Sequence, residues 1–354
     1  MRSTYHRIHS QLLRPPVIAC ACVVLLWTVF CAGASASTLV VSGAGDGHGV
    51  GMSQDGALGY AQHGWTYQAI LAHYYSHTAI GQAPAGANVR VLEGGRIHTI
   101  ALETYVRGVV SAEVPASWPL AALQAQAVAS RTYALTAHAG GSKFDVYADT
   151  RSQVYRGVAA ETPQTDTAIT DTAGQVLTYE GHPAITYFFA SSGGSTENVE
   201  NAFPGSAPEP WLHGVADSYE TKSSSWKLNI SFATAAARLK GLVKGTFSGI
   251  EVLKRGVSPR IVSAAVLGTR GATPVSGPEL AGRLGLSSTW AYFSVQNGKN
   301  VSPQPDHSSQ SPAPSPAATG RASATTPAVT SSRGGAQGPE GHPSLTRAGG
   351  AVAG

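Results

Sequence analysis

The sequence predicts an α+β protein with one large domain, built either as a single body or as two lobes around a cleft. Three observations lead to this class. Several short segments alternate apolar and polar residues, and several longer segments repeat apolar residues at helical spacing. Glycines and prolines separate the two kinds of segment. The folded part is predicted to span residues 38–295, which is long enough to bury a large core.

The elements of the first half follow from these patterns. In chain order they are a strand over 38–42, a glycine-rich segment over 43–51, helices over 53–62 and 66–75, a hairpin over 89–102, and a helix from Leu102 that ends before Pro115. Pro115 disfavours helical backbone at the residue before it. Ser117 is predicted to cap the next helix, with Pro119 in its first turn and an end near His138.

The second half mixes loops with shorter elements. The predicted elements are a helix over 162–172, strands over 175–179 and 184–189, a tight loop over 191–195, a helix over 232–242, and strands over 249–254 and 260–267. No period indicates a repeat protein.

The first 36 residues have the pattern of a secretory signal peptide. Arg2, Arg7 and Arg14 precede an apolar run over 17–32, and small residues at 34–36 resemble a cleavage site. The alternative is a retained anchor, so contact with a membrane is expected only through an uncleaved signal. We therefore expect a secreted protein, located outside the cell or in the cell wall.

Removal of the signal changes what the composition implies. All three cysteines, Cys20, Cys22 and Cys31, lie within it, so the mature chain has no thiolate for catalysis or metal binding. The remaining 21 basic and 20 acidic residues give a net charge of +1, which argues against nucleic acid as a partner. Residues 298–354 have no aromatic residue and are rich in Pro, Ser, Ala and Gly, which predicts a disordered tail.

Glu113 is a candidate proton donor. It lies in the predicted turn between two helices, among apolar neighbours that would raise the pKa of its carboxyl. The N-terminus of the following helix would lower that pKa, and the sequence does not decide between the two effects. An ordinary acid at a helix end is the alternative.

Other polar residues allow two interpretations each. Gln124 and Arg131 are seven residues apart on one face of a helix, where they either satisfy buried backbone groups or line a site. The glycine-rich segment does not match a dinucleotide-binding or P-loop motif. His73 and His77 have the spacing of a zinc pair, but surface or core histidines are commoner, and we expect neither metal nor cofactor.

Four segments of the sequence resemble the stage II sporulation protein D family, the SpoIID/LytB domain. They are "GHGVGMSQDGALGYAQHG" at 47–64, "YVRGVVSAEVPASWPLAALQAQAVASRTYAL" at 105–135, "YFFASSGGSTENVENAF" at 187–203 and "GPELAGRLGLSSTWAYF" at 277–293. The first of these segments comes late in the sporulation protein and early here. A permuted chain keeps the same site only if its ends lie close together.

The resemblance implies lytic transglycosylase chemistry on the glycan strands of peptidoglycan. In the family the acid is the glutamate that matches Glu113. The residues that the resemblance places along the substrate groove, together with the polar residues above, are His48, Gln54, Gln124, Arg131, Ser191, Ser192, Gly193, Gly194 and Thr196. His48 either contacts the sugar or holds the glycine segment in place. Some relatives bind zinc through cysteines, which the mature chain lacks.

The resemblance also leaves a non-catalytic alternative. Some relatives are described as amidase enhancers, so the chain is either an enzyme or a peptidoglycan-binding protein with a wall hydrolase, such as an amidase, as its partner. A wall adaptor that acts through its tail is a third hypothesis. We expect the enzyme because the glutamate is retained.

Overall fold

The computed structural model describes residues 37–220, 224–297, 300–303 and 306. The predicted signal peptide at 1–36 and most of the predicted tail lie outside these residues. Within the described part, no helix combines the length and the apolar character that crossing a membrane requires.

Helices and strands alternate along the chain, which confirms the predicted α+β class. The strands are Thr38–Gly43 (β1), Met52–Ser53 (β2), Ala79–Gln82 (β3), Asn88–Glu93 (β4), Arg96–Ala101 (β5), Val146–Tyr147 (β6), Gln175–Tyr179 (β7), His182–Pro183 (β8), Phe188–Phe189 (β9), Trp226–Ser231 (β10), Phe247–Arg255 (β11), Ile261–Gly268 (β12), Gly271–Ser276 (β13), Ala291–Asn297 (β14) and Asn300–Pro303 (β15). The helices are Gln54–Gln62 (α1), Tyr67–Tyr74 (α2), Leu102–Glu113 (α3), Leu120–Thr136 (α4), Pro163–Asp171 (α5), Val199–Ala202 (α6), Phe232–Arg238 (α7) and Gly277–Leu284 (α8).

The strands form several small sheets. The largest has the order β10-β1-β14-β15, and β11-β12-β13 form a second sheet. Strand β1 pairs antiparallel with β14, so that Thr38 lies opposite Gln296. The first and last strands of the predicted domain are therefore neighbours, which is the condition that a permuted chain must meet.

Helix α4 lies between two hydrophobic clusters. Ala125, Val128 and Ala129 face a cluster built with α1 and α2. Leu123 and Ala127 face another cluster, built with β4, α3 and α5. Because most α4 side chains are small, neighbouring helices approach it from several sides. A third cluster joins the two larger sheets to α7 and α8.

The sequence expectations that differ from the structure include a helix cap, a strand and the start of the tail. Helix α4 begins after Pro119 without a side-chain cap, because Ser117 lies in a turn closed by the bond from Trp118 N–H to the carbonyl of Pro115. Of the strand expected over 184–189, only Phe188 and Phe189 are in a ladder.

Isolated hydrogen bonds take the place of a strand ladder over 184–187. The carbonyl of Ile185 accepts a bond from the Trp211 indole, and the carbonyl of Tyr187 accepts one from the Tyr75 hydroxyl. The third difference is at the start of the predicted tail, where Asn300–Pro303 forms β15 on the edge of the largest sheet.

Candidate active site

Glu113 is the last residue of α3, and its carboxylate accepts a hydrogen bond at each oxygen. Its Oε1 accepts from Val154 N–H at 2.6 Å. Its Oε2 accepts from the side-chain amide of Gln54, with Nε2 at 3.2 Å. The helix extends further than the sequence predicts, so the carboxyl lies at a helix C-terminus and not in the turn before α4.

Burial raises the pKa of Glu113 above its usual range, and the bonds from Val154 and Gln54 oppose that rise. The negative end of the α3 dipole disfavours the carboxylate as well. The net direction is upward, so burial outweighs the hydrogen bonds from Val154 and Gln54. Such an acid retains its proton closer to neutral pH than an exposed glutamate does.

Gln54 reaches Glu113 because Ser53 caps α1 and fixes where that helix begins. The Ser53 hydroxyl accepts from Gly56 N–H at 3.1 Å, and Gln54 is the first helical residue. The Gln54 amide also approaches Gln126 on α4, with Nε2 3.4 Å from Gln126 Oε1. The Gln126 amide in turn donates to the Ser130 hydroxyl at 3.0 Å. Sequence analysis did not identify Gln126 and Ser130, although their i, i+4 spacing places them on one face of α4.

Two buried tyrosines complete the surroundings of Glu113. Burial raises the pKa of Tyr105 on α3 and of Tyr133 on α4, and the Glu113 charge raises both further. Both hydroxyls therefore keep their protons at neutral pH. Neither tyrosine was among the residues expected at the site.

The glycine-rich segment runs against residues 187–192. Gly45, Gly47, Gly49 and Gly51 all have positive φ, between 73° and 99°. A Cβ at Gly49 would overlap the guanidinium of Arg260, which is 1% exposed and donates to the carbonyl of Ser192 at 3.0 Å. The alternation of glycine is therefore required by backbone conformation and by close packing.

His48 holds this segment in place. Its Nδ1 accepts from Val50 N–H at 3.1 Å, and its ring lies between 5.1 and 5.9 Å from the rings of Tyr187, Phe189 and Phe203. Burial, followed by the charge of Arg260, lowers the pKa of His48 to about 4. These contacts favour the second of the two interpretations that the sequence allowed.

The serine loop, residues 191–196, directs its hydroxyls inward. Ser191 donates to Glu220, and Ser192 donates to Asp217 at 2.8 Å. Thr196 is fully buried and accepts from Val215 N–H at 2.8 Å. Sequence analysis placed these three side chains along the substrate groove, and the structure instead has them bonded to their own loop and to residues 215–220.

The two glycines of the serine loop differ from its hydroxyl residues. Gly193 and Gly194 have positive φ of 78° and 115°, and Gly194 is exposed. The N–H of Gly194 donates to Glu220 Oε2 at 2.9 Å. Gly194 therefore presents backbone, and no side chain, at the surface of the serine loop.

Gln124 and Arg131 lie on a different face of α4 from Gln126. Gln124 donates to Asp171 of α5 at 3.1 Å. Arg131 is fully buried, forms an ion pair with Glu103 at 2.8 Å and donates to the carbonyl of Gln175 at 3.1 Å. The expectation that both side chains line the site is corrected, because they join α4 to α3, α5 and β7.

An open pocket of about 290 Å³ lies where the glycine segment meets the serine loop. Its lining residues are Gly45, Asp46, Asp55, Ala190, Ser191, Ser224, Ser225, Trp226 and Ser287. Asp55 follows Gln54 in α1. The start of this helix therefore contacts Glu113 through Gln54 and lines this pocket through Asp55. Within the described ranges, no three His, Cys, Asp or Glu side chains are grouped as a metal site would need.

Comparison with known proteins gives both a family and relatives. Residues 93–179 match the family model of the stage II sporulation protein, SpoIID, and this range includes Glu113. The stage II sporulation protein D of Bacillus subtilis is 30% identical over 242 residues, which cover 60% of this chain and 69% of that protein.

Two further relatives match shorter regions. An uncharacterized protein of Brachyspira hyodysenteriae is 34% identical over 169 residues, covering 47% of this chain and 43% of that protein. A protein of Bacillus subtilis named amidase enhancer is 39% identical over 126 residues, 36% of this chain and 17% of that protein. The chain thus spans less than half the length of these two relatives.

Proposed function

Because this chain belongs to the stage II sporulation protein D family, we propose that it is a secreted cell-wall enzyme that cleaves peptidoglycan glycan strands as a lytic transglycosylase. The family and the names of its relatives support a cell-wall role. The proposed bond is the one between N-acetylmuramic acid and N-acetylglucosamine, and the proposed acid and base is Glu113.

The proposed reaction needs one carboxyl group and no cofactor. Protonated Glu113 donates its proton to the bridging oxygen, the bond from that oxygen to the anomeric carbon breaks, and positive charge develops at that carbon. The 6-hydroxyl oxygen of the same sugar then bonds to the anomeric carbon. The proton of that hydroxyl passes to the Glu113 carboxylate, which restores the acid. The products are a 1,6-anhydro end and a free hydroxyl on the departing sugar.

The observation that carries this proposal is the environment of Glu113. Burial raises the pKa of the carboxyl, as a general acid near neutral pH requires. Backbone and side-chain N–H groups from two other parts of the chain fix its orientation. Gln54 contacts the acid from the start of α1, and the residue that follows Gln54 lines the open pocket.

The structure changes which residues we propose for the substrate. The proposed groove follows Glu113, Gln54 and the backbone of Gly193 and Gly194. His48 is proposed to shape the groove by holding the glycine segment, and a direct bond from its ring to sugar is not required. Ser191, Ser192 and Thr196 are proposed to support the serine loop.

The second candidate function is non-catalytic. The 39% identity to a protein named amidase enhancer favours a chain that binds glycan and a wall amidase without cutting. Both candidates need a glycan-binding groove, so binding alone does not separate them.

Digestion of purified glycan strands, with and without stem peptides, tests the choice. Mass spectrometry should find 1,6-anhydro ends with the wild type and lose them with Glu113→Gln. Glu279→Gln is the matched control, because it makes the same change at an exposed ion pair on α8. The non-catalytic candidate would be favoured if neither the wild type nor the variants form anhydro ends and glycan still sediments with the wild type.

A further inference from the structure

We propose that Gln126 is a positioning residue for Glu113, and that it acts through Gln54 to make Oε2 the oxygen that exchanges the proton. This inference rests on the proposed function, in which Glu113 is the acid. It concerns a residue of α4 that lies in the same segment as the glutamate, 105–135.

A continuous chain of side-chain amides joins Gln126 to Glu113. Gln126 is 1% exposed, and its amide donates to the Ser130 hydroxyl at 3.0 Å. Its carbonyl oxygen therefore faces Gln54, whose Nε2 lies 3.4 Å away. The amide nitrogen of Gln54 faces both Gln126 and Glu113 Oε2. The amide oxygen of Gln54 therefore points away from Glu113. The orientation of Gln126 thus selects the orientation of Gln54.

The two carboxyl oxygens of Glu113 are held by different kinds of donor. Oε1 accepts a 2.6 Å bond from the backbone of Val154, a donor that cannot rotate away. Oε2 accepts a longer bond, 3.2 Å, from a side chain that can move. A carboxylic acid protonates more readily at the oxygen that is held less strongly by donors. The geometry therefore favours the proton at Oε2.

Among the polar groups around Glu113, the side-chain amides of Gln54 and Gln126 are the ones that can change orientation. The titratable groups that face Glu113 are Tyr105 from α3 and Tyr133 from α4, and burial keeps both hydroxyls protonated at neutral pH. The start of α1 and the loop at Val154 contribute neutral donors. A change in the Gln126–Gln54 contact should therefore alter proton affinity at Glu113 without altering a neighbouring charge.

The experiment compares Gln126→Met with wild type. Loss of the Gln126 oxygen frees the Gln54 amide to rotate, and a weaker donor at Oε2 stabilises the carboxylate less. The apparent pKa on the alkaline side of the rate profile for anhydro-end formation should rise by about half a unit to one unit. Turnover should fall by about tenfold, and KM should change less, because the backbone of Gly193 and Gly194 in the proposed groove is not altered.

Three further variants keep the test sharp. Gln54→Met removes the donor itself and should give a pKa shift at least as large. Ser130→Ala is a smaller change that frees Gln126 and should give a smaller shift in the same direction. Gln62→Met, at the exposed C-terminal end of α1, is the control for the substitution and should leave the profile unchanged. If Gln126→Met does not fold, Ser130→Ala and Gln54→Met still decide the question.

The ¹³C resonance of the Glu113 carboxyl, followed through a pH titration, separates this inference from the proposed function. A shifted titration in Gln126→Met and Ser130→Ala supports the amide chain even if the wild type forms no anhydro ends. The inference would be overturned if the wild type is active and Gln126→Met, Gln54→Met and Ser130→Ala all keep its pH profile and carboxyl titration. That result would leave the proposed function intact.

Discussion

Replacement of Gly49 by alanine tests why the glycine-rich segment has its composition. Gly49 has φ of +89°, and an added Cβ would overlap the buried guanidinium of Arg260. The left-handed conformation costs an L-residue about 1–2 kcal/mol, and overpacking a close contact costs about 1–3 kcal/mol more. We therefore expect Gly49→Ala to lower the free energy of unfolding by about 2–5 kcal/mol, measured by urea denaturation.

Gly64 provides the matched control for this prediction. It has φ of +80°, with nothing within 4 Å of an added Cβ. Gly64→Ala should therefore cost only the conformational part, about 1–2 kcal/mol. The difference between the two variants measures the contact with Arg260. Equal losses for Gly49→Ala and Gly64→Ala would refute the close-packing argument and leave backbone conformation as the sole reason for glycine.

Three other predictions use buried charges. Burial and the charge of Glu220 raise the pKa of Asp217 from 3.8 to about 6. Between about pH 4 and about pH 6, Asp217 keeps its proton in the folded chain and loses it in the unfolded chain. The free energy of unfolding should therefore fall by about 3 kcal/mol as pH rises from about 4 to about 6. Asp217→Asn should lack that slope in urea titrations, and an equal slope would contradict the assignment. His48, with its pKa lowered to about 4, should stay neutral in NMR titrations down to about pH 5, whereas protonation near pH 6.5 would show that its ring is solvated. Arg131→Met should lower the free energy of unfolding by about 1–3 kcal/mol, because it removes the ion pair with Glu103 and the bond to the carbonyl of Gln175, with little change in KM for glycan. A KM effect without a stability effect would restore Arg131 to the groove.

Local patterns in the sequence were sufficient for much of the fold around the site. Apolar spacing predicted α1, α2 and the hairpin of β4 and β5 to within about two residues, because each element has one buried face and a clear stop signal. The sequence predicted Glu113 as the acid, and the structure shows that this side chain is partly buried, as its apolar neighbours indicated.

The polar residues of α4 could not be assigned from the sequence, and the reason is physical. Alanines are spread around the whole of α4, so its apolar periodicity does not show which polar side chain faces Glu113. Gln124 and Arg131 face α5 and β7, while Gln126 faces Gln54. The partner of the glycine segment, Arg260, lies more than 200 residues further along the chain, and no local pattern connects them.

The serine loop shows the same limit. A run of hydroxyl residues beside two glycines is compatible with contact to substrate and with support of the loop itself. The partners that decide between these roles are Asp217 and Glu220, which are more than 20 residues away from the loop's first serines. Only the fold brings those carboxyls beneath the serines.

We propose that one partly buried carboxylic acid, Glu113, cleaves the glycan with the sugar's own hydroxyl as the nucleophile. Digestion of glycan strands in H₂¹⁸O tests this most directly, because water does not enter the product of such a reaction. We expect the wild type to form new anhydro ends that carry no ¹⁸O, and we expect Glu113→Gln to form none. New reducing ends that carry ¹⁸O, or cleavage that persists in Glu113→Gln, would contradict it.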